Sequence, residues 1–344
     1  MKKDFFKVLF VAAVALLTVS CSDDKDKDDE LTVDRKVAVL LPDASVIERW
    51  GIDKKNLENA MDRYGLDATF YVAPETKEGA EMQVAQLKKV INDGVKYVVL
   101  TAIDYKKINE SKLIEDNPDV KVVCHDRFLL DNPHIAYISS ANTKAVGHMQ
   151  ATFLLTYFRA SGESSMTLEI LEGPETDVNA KDYYDGAMEK LNPLIESGEL
   201  IVKSGKKEYD QVKANSWSVA DGKSAMLDRL GSYEQGECPD LILAAVDNQA
   251  QGAIQALTEK GISDMPIITG QDNSTIARQN ILAGKQAMTI DKSLEEMAFN
   301  TALIVNGLVH NVPVQTIDYV TIGSTKIPVM YSKLITMVRD SYPY

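Results

Sequence analysis

Polar side chains able to pair with hydroxyl groups recur in this 344-residue sequence just beyond short apolar runs. Val37-Ala38-Val39-Leu40-Leu41 leads to Glu48-Arg49-Trp50, and Val120-Lys121-Val122-Val123 leads to His125-Asp126-Arg127. Leu241-Ile242-Leu243-Ala244-Ala245 leads to Asp247-Asn248, and Ile267-Ile268-Thr269-Gly270 to Gln271-Asp272. An aspartate accepts from two hydroxyls, an arginine donates in a fork, and such charge-assisted bonds are roughly twice as strong as neutral ones. Asp126-Arg127 could instead be an ion pair capping a sheet. Asp247 and Asn248 carry the same hydroxyl-pairing logic from the other half of the chain. In an open α/β sheet the carboxyl ends of parallel strands are where ligands bind. Groups spread over strand ends in both halves point to one ligand clamped between two domains.

Catalytic chemistry finds no support in the sequence. His125, His134, His148 and His310 have no metal-ligand spacing, and no cysteine pairs with them. Neither a Gly-x-Ser-x-Gly elbow nor a Walker-type loop occurs. No metal or cofactor is expected.

The elements that position these residues alternate from Val37 onward. Val37–Leu41, Ala68–Val72, Tyr97–Thr101, Val120–His125 and Ala136–Ser139 read as strands of a first sheet. Met166–Leu171, Leu200–Lys203, Leu241–Ala245, Pro266–Gly270 and Ala287–Asp291 read as those of a second. Between them run helical stripes such as Leu57, Ala60, Met61 and Tyr64, or Ala180, Tyr184, Ala187, Met188 and Leu191. A long helix is expected from about Thr143 to Arg159. Strand–helix alternation predicts an α/β protein, with parallel sheets in two Rossmann-like lobes. The length suits two such lobes, and the apolar (45%) and charged (26%) fractions are those of a globular chain.

The N-terminus carries an export signal. Lys2, Lys3 and Lys7 precede the apolar Val8–Val19 run, and Ser20-Cys21 follows, the pattern of a signal peptide over residues 1–20. Cys21 directly after a small residue resembles the acylated cysteine of bacterial lipoproteins. Residues 21–35 form an acidic tether, because Ser22 to Glu30 has nothing to pack with. Its composition also resembles surface-export signals of some Gram-negative lineages. Removing residues 1–20 takes away three lysines and one aspartate, moving the formal charge from −14 to −16. A body so acidic argues against nucleic acid as a partner. Cys124 lies in a buried-looking strand and Cys238 in a loop of the other half, so no disulfide is expected.

From about Val37 to Thr336 the chain resembles the type I periplasmic sugar-binding proteins and, within them, the D-xylose-binding branch. The resemblance rests on Glu48-Arg49-Trp50, His125-Asp126-Arg127, Tyr137-Ile138-Ser139, Asn179-Ala180-Lys181, Gly252 to Leu257, Gly270-Gln271-Asp272 and Met288-Thr289-Ile290, in that order. It implies two lobes joined by three crossovers, near Ser140, near Asp291 and within Ile322–Pro328. Residues 36–140 with 292–322 are then the first lobe, and 141–291 with 323–344 the second. It implies hinge closure on a monosaccharide, D-xylose or a related aldose, by a monomer that passes it to a membrane permease or reports it to a sensor protein. The cell envelope of a Gram-negative bacterium is the implied location, with the lipid anchor as the sole membrane attachment. The alternative is a sugar-sensing or glycan-capture lipoprotein working with a sensor kinase or an outer-membrane uptake system.

The resemblance also fixes the candidate ligand-binding set: Arg49, Trp50, Asp126, Arg127, Asn179, Trp217, Asp247, Asn248, Gln271 and Lys292. Several have structural alternatives. Trp50 could be incidental, and Trp217 could cap a core rather than offer a stacking face. Asn179 could serve only to open a helix, Asp272 could be an N-cap, and Lys292 could merely bridge the lobes. The chain departs from the branch at His125, where an aromatic residue is usual, at Gln249, and in a longer 203–218 segment.

Lipidation is directly testable. A Cys21→Ser variant is expected in the soluble fraction; retention with membranes on cell fractionation overturns the acylation reading.

Overall fold

The computed structural model describes residues 34–342. The expectations for Cys21, the signal peptide and nearly all of the tether lie outside them. The inner strands of the first half are buried on both sides, as a sheet covered by helices on both faces requires. It runs through β1 (Lys36–Pro42), α1 (Arg49–Arg63), β2 (Asp67–Ala73), α2 (Lys77–Asn92), β3 (Tyr97–Leu100), α3 (Tyr105–Glu110), β4 (Lys121–His125) and β5 (Tyr137–Ala141). Along β1, Ala38 and Leu40 face a core containing Leu87 and Val90 of α2. Val37, Val39 and Leu41 face the opposite core, with Leu57 and Met61 of α1. The alternation of side chains along a strand thus feeds two hydrophobic layers.

The second half begins with α4 (Thr143–Ser161), capped by the Asn142 side chain accepting from the Ala145 amide at 3.0 Å. There follow β6 (Met166–Leu171), α5 (Val178–Ser197), β7 (Leu200–Ile201), α6 (Tyr209–Val212), α7 (Val219–Leu230) and β8 (Leu241–Ala244). Then come α8 (Asp247–Glu259), β9 (Ile267–Ile268), α9 (Thr275–Leu282) and β10 (Thr289–Asp291). Leu168, Ile170, Leu241 and Leu243 bury against α4 and α5. Leu171, Ile242 and Ala244 bury against α7 and α8 on the other face.

The chain then returns to the first lobe as α10 (Leu294–Val309), whose Ala298, Ala302 and Val305 complete the core beneath β1. Last come β11 (Asp318–Ile322), β12 (Thr325–Ser332) and β13 (Ile335–Met337). The first sheet has the order β11-β12-β5-β4-β3-β1-β2, the second β7-β6-β8-β9, and β10 pairs with β13. The ladders of the two large sheets are parallel except the β11–β12 hairpin.

The chain passes from the first sheet to the second after β5 and returns after β10. The third crossover differs. Thr325–Ser332, expected in the second lobe, pairs with β5 of the first sheet, Val329 opposite Ile138 and Ser332 opposite Ala141. Buried Ile327 and Val329 fill the first lobe's core. The chain therefore crosses at Lys333–Leu334, and only the segment from β13 onward belongs with the second lobe. Among the described residues no helix is long and apolar enough to cross a membrane. Cys124 and Cys238 are both free, and burial pushes the Cys124 thiol up to about 12, so it is no reactive thiolate.

Helices α4 and α5 touch through glycine. A Cβ on Gly147 would lie 2.0 Å from the Tyr183 carbonyl oxygen, and one on Gly186 2.1 Å from that of Lys144. Both obstacles are backbone, so neither can swing aside. Gly147→Ala is expected to cost about 1–3 kcal/mol, read as a lower urea midpoint; an unchanged midpoint would show the helices free to separate.

Candidate functional site

The strand ends and helix starts of both lobes converge on one small cavity. Arg49 and Trp50 open α1; Asp126 and Arg127 leave β4; Asn179 lies in the first turn of α5. Trp217 precedes α7, Gln271 and Asp272 follow β9, and Lys292 follows β10. Eight of the ten expected residues line this cavity: Arg49, Trp50, Asp126, Arg127, Asn179, Trp217, Gln271 and Lys292. Ile47, Asp177, Tyr183, Val246 and Asp272 complete the wall.

Charge dominates the interior. Arg49 Nη2 lies 2.7 Å from Asp53 Oδ2, and its Nη1 lies 3.2 Å from Asp126 and 3.5 Å from Asp272. Lys292 Nζ is 3.0 Å from Asp272 and 4.0 Å from Asp126. Arg127 reaches Glu75 at 2.5 Å and Asp177 at 2.8 Å. Burial works against the Arg49 charge, yet Asp126, Asp53 and Asp272 outweigh it and keep the guanidinium firmly protonated. Burial likewise opposes the Asp126 carboxylate, but Arg49, Lys292 and Arg127 hold it well below the usual range. Each cation already faces protein carboxylates, so no free positive charge awaits an anionic ligand.

The unpaired atoms are different. Asn179 Oδ1 and both amide atoms of Gln271 are buried without a protein hydrogen-bond partner, as is Asp126 Oδ1. Orphaned buried polar atoms are rare because each costs about 1–3 kcal/mol. Four in one cavity form a hydrogen-bonding surface for something polar and uncharged.

The two tryptophans have separate duties. Trp50, expected as a ligand contact, has the guanidinium carbons of Arg49 and Arg127 at 4.5 and 4.9 Å from its ring centroid. Its indole therefore seats the two cations, and its Nε1 donates to Glu75 at 3.3 Å. Trp217 packs edge-on to Tyr183, with centroids 6.4 Å apart, and donates Nε1 to Asp177 at 2.9 Å. Gly173 lets the backbone press on the benzo ring, where a Cβ would sit 2.0 Å from Cη2.

Asp247 and Asn248 do not line this cavity. Asp247 Oδ1 accepts from Gln286 at 2.9 Å and Thr289 at 2.8 Å, and Oδ2 from the Ser274 amide at 2.9 Å. Asn248 Nδ2 donates to the Trp217 carbonyl at 3.0 Å and, across the lobes, to that of Val46 at 2.9 Å. Gln249 donates to the Ser216 carbonyl at 3.3 Å. Asp247 and Asn248 line an adjoining cavity with Ile47, Arg49, Val246 and Asp272. His125 is fully buried behind the site: its Nδ1 is 2.7 Å from Thr301 Oγ1 and its Nε2 3.4 Å from Asp53.

Two of the structural alternatives turn on hydrogen bonding. Ser274, not Asp272, caps α9, and Asp177 caps α5 by accepting from the Asn179 amide. Both Asp272 and Asn179 thus have side chains free of capping duty. The candidate set omits Asp272 although it adjoins Gln271. It omits Asp53 although Arg49 stands four residues earlier on α1, and Tyr183 although Asn179 stands one turn before it. Among the described residues, no group of three His, Cys, Asp or Glu side chains could hold a metal ion.

This fold and site define a two-lobed binding protein whose ligand is enclosed at strand ends. Residues 37–310 match the family model of the periplasmic binding protein domain. The chain belongs to that family. It is 28% identical over 309 residues to the multiple sugar-binding periplasmic receptor ChvE of Rhizobium radiobacter, covering 88% of this chain and 85% of that one. It is 28% identical over 267 residues to the D-xylose-binding periplasmic protein of Escherichia coli, covering 78% and 75%. Among solved structures, an ABC transporter solute-binding protein from Clostridium phytofermentans with bound β-D-glucose superposes with a TM-score of 0.83 at 26% identity, covering 89% and 95%. These relatives are receptors and binding proteins, not enzymes.

Asp247 gives the site region a pH signature. Burial, opposed by the Ser274 amide among other donors, pushes its carboxyl up to about 7. An unfolded aspartate titrates near 3.9, so the folded state holds this proton longer. The group's contribution to stability is complete below about pH 4 and is lost as pH rises through about 7. Asp247→Asn is expected to flatten unfolding free energy across that window in urea titrations; an unchanged slope would show Asp247 ionised when folded.

Proposed function

We propose that this chain is a solute-binding protein that encloses one neutral monosaccharide, D-xylose or a related aldose, by hinge closure. The observation that carries the reading is the set of orphaned polar atoms on Asp126, Asn179 and Gln271, contributed by both lobes to one cavity. Ring hydroxyls both donate and accept, as the carboxylate and the two amides require. Trp217 offers an apolar surface for the C–H face of a sugar ring. Arg49, Arg127 and Lys292, fixed by their counter-ions, donate in set directions. The sugars named for the relatives, D-xylose and β-D-glucose, share this mix of equatorial hydroxyls and an apolar face.

Closure stores no chemistry; it works because only the closed arrangement lets both lobes touch the ligand. The protein would act as a monomer held in the cell envelope by an acyl chain on Cys21, handing its sugar to a permease. One of the relatives is named a receptor, so a role in sensing or glycan capture is the second reading. A gene neighbourhood holding a permease and an ATPase supports transport, and one holding a sensor kinase supports sensing.

Calorimetry and thermal shift of the mature protein test the reading with pentoses, hexoses and deoxy sugars. A ligand at about 100 times its dissociation constant is expected to stabilise by about 2.7 kcal/mol; no response to any aldose overturns the proposal. Asp126 has φ +62°, a conformation asparagine also tolerates, so Asp126→Asn preserves the turn while removing the charge. It is expected to weaken sugar binding by about 1–3 kcal/mol or more. Trp217→Ala is expected to cost at least about 1 kcal/mol for every bound sugar and to narrow the differences between epimers. Full affinity with a large fall in melting temperature would make Trp217 a core residue alone.

A further inference from the structure

The site loop after β9 is held in a conformation that ordinary residues avoid. Asp272 and Asn273 are consecutive, neither is glycine, and both have positive φ, 94° and 48°. Such backbone persists only where the surroundings over-determine it. It matters here because this turn aims the Asp272 carboxylate at Lys292, 3.0 Å away, and at Arg49, 3.5 Å away.

Two anchors come from β10 and its neighbourhood. The Asp272 amide donates to the Ile290 carbonyl at 2.9 Å, and the Asn273 amide to Thr289 Oγ1 at 3.2 Å. A third comes from far along the chain. After β13 pairs with β10, a short helical turn at Arg339–Ser341 brings Tyr342 back beneath the loop. Tyr342 Oη donates to Asn273 Oδ1 at 2.7 Å, and Arg278 Nε donates to the same oxygen at 3.1 Å. Burial pushes the Tyr342 phenol up to about 12, so it stays a donor at every physiological pH. Tyr342 does not line the cavity.

We propose that Tyr342 is a positioning residue: through Asn273 it locks the left-handed Asp272–Asn273 turn, and the C-terminal segment thereby sets sugar affinity. The inference rests on the sugar-binding reading for its functional consequence, but not for its structural one. A half-exposed phenol making one side-chain hydrogen bond is a weak contributor to global stability. Its effect is expected in affinity because the residue it steadies stands next to the binding carboxylate. Asn273 has no partner among the cavity residues that would explain a left-handed backbone by itself.

The test uses the mature full-length protein with D-xylose and D-glucose as probes. Tyr342→Phe is expected to raise the dissociation constant about three- to tenfold, with little change in melting temperature. Asn273→Ala, which also removes the Arg278 contact and a residue suited to the left-handed backbone, is expected to weaken binding at least as much, and adding Tyr342→Phe to it is expected to cost nothing further, because the phenol's link is already gone. Asn273→Asp keeps the acceptor and is expected to restore near wild-type affinity. Amide hydrogen exchange of Asp272, Asn273 and Ser274 is expected to accelerate in Tyr342→Phe. Unchanged affinity together with unchanged exchange, multiplying losses in the double variant, or a fall in melting temperature alone would each overturn the proposal. Wild-type protein that binds neither probe nor any other aldose, while Tyr342→Phe still frees the loop, would sink the sugar reading and leave the positioning role standing.

Discussion

Everything at the cleft depends on burying the Arg49 guanidinium without leaving it unpaired. Moving a charge out of water costs several kcal/mol even after relaxation, and the cost is recovered only with good geometry. Here the carboxylates come from three places: Asp53 one turn along α1, Asp126 from the end of β4, and Asp272 from the other lobe. The first two can be satisfied within one lobe. The third can be satisfied only when the lobes meet, so the ion network belongs to the closed form. Arg127 repeats the scheme, with Glu75 from its own lobe and Asp177 from the other.

Placing those carboxylates demands unusual backbone. Asp126 and Asp272 both have positive φ, and Ser293, at the crossover after β10, does as well. Aspartate tolerates the left-handed region better than most residues, because its short side chain can bond locally. A strand that simply continued would point the next side chain into the sheet's flank. The reversal after β4 and after β9 lifts the carboxylate into the cleft. Serine at 293, with no such side-chain compensation, sits where the chain must turn from β10 into α10 beside Lys292. Of the seven non-glycine residues with positive φ among the described residues, Asp126, Asp272, Asn273 and Ser293 lie at the cavity or at the crossover beside it.

Much of this was legible in the chain because strand ends carry local signals. Apolar runs of four to seven residues marked the strands, and polar clusters beyond them marked most of the cavity. What stayed hidden was long-range. Nothing local distinguishes Thr325–Ser332 as a strand of the first sheet, since its partner β5 lies almost 200 residues earlier. Asp247 reads like a ligand carboxylate, yet Gln286, Thr289 and the Ser274 amide occupy it, three donors from a stretch that no periodicity connects to it. Trp50 was legible as a site residue but not as a seat for two guanidiniums, because Arg127 lies 77 positions further on. His125 departs from an aromatic norm. Its imidazole joins Thr301 and Asp53 rather than the cavity, a substitution in the scaffold behind the site.

The division of labour between charged and neutral groups follows from these contacts. Ion pairs already bridge the lobes, so a ligand shifts closure only by what it adds beyond them. The paired cations can add little attraction, since their charge is spent on carboxylates that remain in place. On the sugar-binding reading, what a ligand adds is a partner for Asn179 Oδ1 and for both amide atoms of Gln271, which have none within the protein. A site of this kind discriminates chiefly by omission: an analogue lacking one hydroxyl leaves a buried amide unpaired and forfeits more than the hydroxyl's own contact. On that reading Trp217 supplies shape and the amides supply hydrogen bonds. The charges act as the frame that fixes where both must stand.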